Sequence, residues 1–347
     1  MSRSEKIESC IIPFVKQLKS VDADVAGMNN YCKTYLFHLL QHSRYYTQIY
    51  AHVLTILLTY CAKDMESIIL VDYGAGNGLL GIFAKFCGFK KVYINDINEN
   101  FTKAAAQVAE KLGITPDGFI TGNMDVLTDY FRNKEKPDAI TGTDVIEHVY
   151  SLHNMFRDLK SLNENMVTVF TTAANTNNWF KVRAIKKQQL FDEYTGGAMP
   201  ENTLSGSAHS PAFFNTRKAI IQAANPDFKE EEITLLAKVT RGMIKDDVLT
   251  VAARYHTHNN IPAPPSHPSN TCDPLSGSWA ERLLTIDEYK HIYKSAGFEL
   301  KQYNGFYNSY DHTIKSWLLK PANWLVNMCG KNFAPFITLA GFKKINY

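Results

Sequence analysis

Ile68-Ile69-Leu70-Val71-Asp72-Tyr73-Gly74-Ala75-Gly76-Asn77-Gly78 is an apolar run that passes straight into alternating glycines. The apolar part reads as a buried strand, and the residues from Leu79 onward read as a helix. Alternating glycines let the backbone take up positive φ and approach a ligand closely, while the first N–H groups of the next helix carry partial positive charge. The stretch therefore predicts a pocket for an anionic or strongly polar group at a strand end. A dinucleotide fingerprint G-x-G-x-x-G would put glycine at position 79, where the chain has Leu79. That disfavours a NAD-dependent oxidoreductase, the rival reading on sheet pattern.

Working outward, Lys91-Val92-Tyr93-Ile94-Asn95-Asp96 reads as a second strand ending in an acid. Helix-like 98 to 112 follows, then Gly118 to Asp125 as a third strand ending in another acid, and Ala139 to Thr143 as a fourth that leads into Asp144-Val145-Ile146-Glu147-His148-Val149. Strands are expected near 68 to 73, 90 to 96, 117 to 121, 137 to 143 and 166 to 172, with helices between, the alternation that a parallel α/β sheet requires. One glycine after a strand is commonly a plain turn residue, and one acid there is commonly a helix N-cap. Several such features in register carry more weight than any one of them.

In order and spacing these residues resemble the class I S-adenosylmethionine-dependent methyltransferases, over about residues 66 to 175. The resemblance implies a Rossmann-like seven-stranded α/β methyltransferase sheet, with S-adenosylmethionine as cofactor. It places Asp72, Gly74, Ala75, Gly76 and Gly78 in the cofactor loop, Asp96 on the ribose with Ile97 beside it, and Asn123, Met124 and Asp125 at the adenine. Thr143 ends the fourth strand at the same site. Asp144-Val145-Ile146-Glu147-His148-Val149 resembles the post-motif segment of the ubiquinone-biosynthesis O-methyltransferase type, where an acid-x-x-acid-His run borders the methyl-transfer site and can hold a divalent metal. Here Asp144 stands where that group more often has glutamate, and a metal on Asp144, Glu147 and His148 stays open. The expected reaction is methyl transfer to a small-molecule hydroxyl, with His148 as base and Glu147 orienting it or sharing a metal with Asp144. N-methylation of a small amine and a catalytically silent cofactor-binding homologue are the alternatives.

The chain has 347 residues, 45% of them hydrophobic, and a formal net charge of only +3. That is enough apolar matter for a nucleotide-binding core with accessory elements, and the interspersed charge gives no basic stripe for a phosphate backbone. No nucleic-acid partner is expected. The six cysteines contain no C-x-x-C pair, which suits reduced thiols in the cytoplasm better than a zinc site or a disulfide framework. Charged Arg3, Glu5, Lys6 and Glu8 break any leader-like run, and the apolar stretch from Ile49 to Ala62 is too short to span a bilayer. No stable membrane insertion is expected, and nothing in the sequence sets an oligomeric state.

Four zones follow. Residues 1 to 65 read as a helical cap, in which Arg44, Tyr45 and Tyr46 are candidates for closing over cofactor or substrate. Residues 66 to 175 are the cofactor-binding core, 176 to 284 a large insertion after strand five that should choose the substrate, and 285 to 347 the completion of the sheet. Inside the insertion, 227 to 237 and 244 to 253 look helical and 258 to 278 looks like loop. Asn225-Pro226-Asp227-Phe228 resembles an amino-methyltransferase motif but lies far from the fourth strand, and His256, His258, Cys272 and Asp273 lack a closed zinc-ligand set. The apolar stripe of Trp317, Leu318, Leu319, Trp324, Leu325, Val326 and Met328 is expected to pack inward rather than meet a membrane.

Overall fold

The structure, a computed structural model, describes residues 2–23, 27–198, 209–263, 267–311 and 314–343. It divides into two units, one made of Met1–Ile146, Ser151–Ala173 and Thr285–Tyr347, the other of Glu147–Tyr150 and Ala174–Leu284. The second unit thus takes in the tetrapeptide from 147 to 150 as well as the long insertion.

In the first unit, helices α1 (Arg3–Leu18), α2 (Asn30–Gln41) and α3 (Ser43–Tyr60) precede the sheet. Strands β1 (Ile69–Tyr73), β2 (Lys91–Asp96), β3 (Gly118–Thr121), β4 (Ala139–Thr143) and β5 (Val167–Thr172) are parallel, joined by α4 (Leu79–Cys87), α5 (Glu99–Leu112), α6 (Met124–Phe131) and α7 (Leu152–Leu162). After the insertion come β6 (Glu299–Asn304) and β7 (Ile337–Phe342), and the sheet order is β3-β2-β1-β4-β5-β7-β6 with β7 antiparallel to both neighbours. This is the seven-stranded mixed sheet that the sequence predicts. Buried Ile7, Phe14, Leu54, Leu57, Ile82, Phe83 and Val108 gather α1, α3, α4 and α5 into one apolar cluster with the sheet. Phe156 of α7 meets Phe170 of β5, together with Tyr293 of α12 (Ile286–Ser295) and Phe298 just before β6.

Local chemistry sets the ends. Asn98 caps α5 by accepting from the Asn100 amide at 2.9 Å, Glu99 follows in the first turn, and Gly113 closes the helix in the left-handed region. β3 runs to Thr121, within the expected 117 to 121, and does not continue to Asp125, because Asn123 accepts from the Val126 amide and starts α6 there. Asp125 therefore sits on the first turn of a helix, not on a strand. A second difference lies at the C-terminal end, where Trp317, Leu318, Trp324, Leu325 and Met328 face outward and only Val326 of the stripe is buried. The expected inward packing is wrong because Val326 and the Asn323 bonds to Tyr307 hold the helix by its other side.

The second unit contains α8 (Trp179–Tyr194), α9 (Phe213–Ala224), α10 (Glu230–Val239) and α11 (Lys245–His258), the first of which has no clear apolar period in sequence. Ile221, Ile233, Leu236, Ala237, Val248 and Ala252 form its core. Asn225 and Phe228 serve local structure, with Phe228 edge-on to Tyr255. Beside the core, Arg217 of α9 is fully buried against Glu193 of α8, donates to the Ala237 carbonyl at 3.0 Å, and shares Glu193 with the Thr271 hydroxyl at 2.6 Å. A buried pair loses several kcal/mol when one partner goes, since the other charge stays in low dielectric. Arg217→Met should therefore lower unfolding stability by about 3–5 kcal/mol in urea titration, and a change under 1 kcal/mol would show that the pair is solvated.

Candidate active site

The loop after β1 is built by three left-handed glycines, Gly74 (φ 64), Gly76 (φ 54) and Gly78 (φ 75). At Gly74 a Cβ would come within 2.2 Å of Val145 Cγ2, and at Gly76 within 3.0 Å of the Tyr35 ring. Both positions exclude side chains by conformation and by space. Ala75 donates to the Asn95 carbonyl at 3.0 Å and Gly78 to the Ala75 carbonyl at 2.8 Å, which folds the loop over the ends of β1 and β2. Below it, Asp72 is buried and accepts from the Gly81 amide at 2.8 Å, taking one of the N-terminal donors of α4. Burial pushes the Asp72 carboxyl up to about 7, the Gly81 amide opposes that rise and the charge of Asp96 adds to it.

Asp96 ends β2 with one carboxylate oxygen on the Gly76 amide and the other on the Asn98 amide, each at 2.9 Å. Burial raises its pKa, against the amides of Asn98, Gly76 and Ile97 that favour the ionised form. Each oxygen keeps a second acceptor site for a diol hydroxyl. Next to it Ile97 is 53% exposed, an apolar plate beside the acid. Across the loop, Asn123 caps α6 and holds Asp125 through its amide at 3.1 Å, Asp125 is exposed and Met124 is buried beneath. Tyr73 is pushed up to about 12 by burial and then by Asp96 and Asp125, so it stands within the field of both acids. A cradle of side-chain-free backbone, a helix N-terminus, a diol-accepting carboxylate and an apolar plate together fit the amino-acid end, ribose and adenine of S-adenosylmethionine.

Thr143 is half-buried at the end of β4 and Asp144 is exposed, with φ 51 and its amide on the Thr171 carbonyl at 3.2 Å. Three tyrosines, which the sequence reading partly missed, lie within its field. Tyr35 packs on Gly76 and edge-on to Phe101, Tyr46 bonds His38 at 2.9 Å, and Tyr45 donates to the Phe306 carbonyl at 3.1 Å. Burial pushes all three phenols up, and Asp144 is the largest charge acting on each of them. Tyr45 and Tyr46 were candidates from sequence, whereas Tyr35 carried no signal beyond being aromatic.

The tetrapeptide of the second unit is fixed by a short segment of its own insertion. His148 Nδ1 donates to the Trp279 carbonyl at 2.7 Å, Trp279 N donates to the His148 carbonyl at 3.1 Å, and Arg282 N donates to the Glu147 carbonyl at 3.0 Å. Glu147 is fully buried, and Glu281 Oε1 lies 3.9 Å from His148 Nε2. Glu281, a non-glycine residue at φ 53, is invisible as a partner in sequence because 133 positions separate it from His148 (281 − 148). Among the described residues no group of three or more His, Cys, Asp or Glu side chains is gathered to hold a metal, so Asp144, Glu147 and His148 do not form one; neither do His256, His258, Cys272 and Asp273.

The sequence profile of a family described as a methyltransferase domain matches residues 41–218, just over half of the chain. The chain belongs to the class I S-adenosylmethionine-dependent methyltransferases. A ribosomal protein L11 methyltransferase of Acinetobacter baumannii is 43% identical to this methyltransferase over 51 residues, 15% of this chain and 17% of that relative. The chain thus spans only 17% of that curated relative's length. A solved magnesium protoporphyrin IX methyltransferase from Synechocystis, with bound S-adenosylhomocysteine, is 12% identical over 88% of this chain and 87% of its own, with TM-score 0.39. An S-adenosylmethionine-dependent methyltransferase from Mesorhizobium loti is likewise 12% identical, over 83% and 96%, with TM-score 0.40.

Two outcomes follow for the cofactor loop. Asp96→Asn should weaken S-adenosylhomocysteine binding roughly ten- to hundredfold by calorimetry, the worth of a hydrogen bond to a charged group; unchanged affinity would remove Asp96 from the ribose. Asp72 has its pKa raised in the folded chain, so its contribution to stability is fullest at acid pH and is lost as pH rises towards about 7. Urea midpoints measured from pH 4 to 8 should accordingly fall for the wild type relative to Asp72→Asn, and parallel curves would contradict the buried ionisation.

Proposed function

We propose that the chain transfers a methyl group from S-adenosylmethionine to the hydroxyl of a small-molecule acceptor, with His148 as general base and Glu281 beside it. The observation that carries this is the bond from His148 Nδ1 to the Trp279 carbonyl. A carbonyl only accepts, so the ring proton sits on Nδ1, and in the neutral imidazole Nε2 then carries the free lone pair. That is the tautomer a base needs. Asp144 and His148 are four residues apart (148 − 144), a span of at most about 14 Å of extended chain. Covalent continuity therefore ties the proposed base to the residue that follows β4.

S-adenosylmethionine supplies the methyl on a positively charged sulfur. The glycine loop, Asp96 and Ile97 hold the donor, Asp125 meets its adenine, and the tyrosines near Asp144 exclude water. The acceptor oxygen forms its bond to the methyl carbon as the carbon–sulfur bond breaks, and its proton passes to His148 Nε2. Glu281 stabilises the imidazolium that results. The insertion from 176 to 284 supplies acceptor contacts. Fixing two reactants in line is worth up to roughly 7–11 kcal/mol, and a positioned base adds about 10²–10⁴ in rate.

His148→Ala should lower turnover by about 10²–10⁴ while leaving S-adenosylhomocysteine affinity unchanged, read by release of S-adenosylhomocysteine with a panel of phenols and quinols. A near-normal rate would point to a neutral amine, which needs little base. No release with hydroxyl or amine acceptors, despite tight cofactor binding, would mark a silent homologue.

A further inference from the structure

At the end of the first unit, α13 (Ile314–Leu318) and α14 (Lys320–Cys329) run on from one another with a turn at Leu319. One side of α14 is pinned. The Asn323 side-chain amide donates to the Tyr307 carbonyl at 3.0 Å and its oxygen accepts from the Tyr307 amide at 2.6 Å, while Val326 is buried one turn on. The opposite side presents Trp317, Leu318, Trp324, Leu325, Met328 and, just beyond, Phe333 to solvent, with Trp317 at 66% and Trp324 at 61% exposure. A patch like this on a polar-pinned scaffold is unusual, since exposed tryptophan is disfavoured without something to cover it. Charge narrows what covers it. Exposed Lys320 begins α14 and exposed Lys331 follows it, and neither helix carries an aspartate or glutamate.

We propose that the outward face of α13 and α14 docks on the surface of an anionic lipid bilayer. Tryptophan prefers the headgroup boundary, lysines flanking an apolar face are drawn to anionic lipid, and an amphipathic helix lies in the plane of the interface. With 5 and 10 residues, the two helices are far below the roughly 20 needed to span a bilayer, so they rest in it. A second copy of this chain suits the patch less well. A two-fold contact would set the same acid-free, lysine-bearing segment against itself.

The test is co-sedimentation of the full chain with sucrose-loaded vesicles, of phosphatidylcholine alone or with about one-quarter phosphatidylserine, with light scattering of the protein alone in parallel. Binding should appear on the anionic vesicles, weaken at high salt, and blue-shift tryptophan emission. Trp317→Ala with Trp324→Ala should reduce partitioning at least about tenfold without moving the thermal midpoint, because both side chains are exposed. Lys320→Glu should weaken it severalfold on anionic vesicles only. Absence of binding, equal binding to neutral vesicles, or a solution dimer that the tryptophan substitutions dissolve would each overturn the proposal.

Discussion

The bond from the Gly76 amide to the Asp96 carboxylate joins the glycine loop after β1 to the end of β2. It acts together with the Ala75 amide on the Asn95 carbonyl, so the loop meets the end of β2 through both backbone and side chain. With it, the carboxylate is held in place before any ligand arrives, and the loop is kept in its left-handed path by a charge-assisted contact. The sheet order serves this bond, because β1 and β2 are paired in register from Ile69 with Lys91 to Tyr73 with Asn95. The helical layer serves it as well, since Tyr35 fills the space that glycine leaves at position 76.

Much of this was legible in the chain because it is local. A run of β-formers, a glycine at every second position and an acid at the next strand end all lie within 30 residues, where periodicity and turn chemistry speak directly. The five parallel strands were readable for the same reason. Two kinds of feature were not. The end of β3 depended on Asn123 winning as a helix cap against an apparent continuation to Asp125, a contest that spacing does not decide. Glu281 and Tyr35 reach their neighbours only through the tertiary fold, and no sequence period marks them.

The exposed tryptophans show a different failure of inference. An apolar stripe with helical spacing is compatible with burial and with a covered outer face, and composition favours the first. What decides is the other side of the helix, where Asn323 spends its hydrogen bonds on Tyr307 and fixes the orientation. The buried Glu193 and Arg217 pair makes a related point in the second unit. Its value lies in specifying how α8 and α9 meet as much as in stability, because a charge pair tolerates little sliding.

The bond between His148 and Trp279 spans 131 positions. On a ribosome adding about 5–20 residues each second, roughly 7–26 s pass between emergence of the imidazole and emergence of the carbonyl that orients it. Throughout that interval the glycine loop and Asp96 are already synthesised while the ring remains free to choose its tautomer. The proposed base therefore gains its orienting partner late in translation, shortly before β6 and β7 complete the sheet of the first unit.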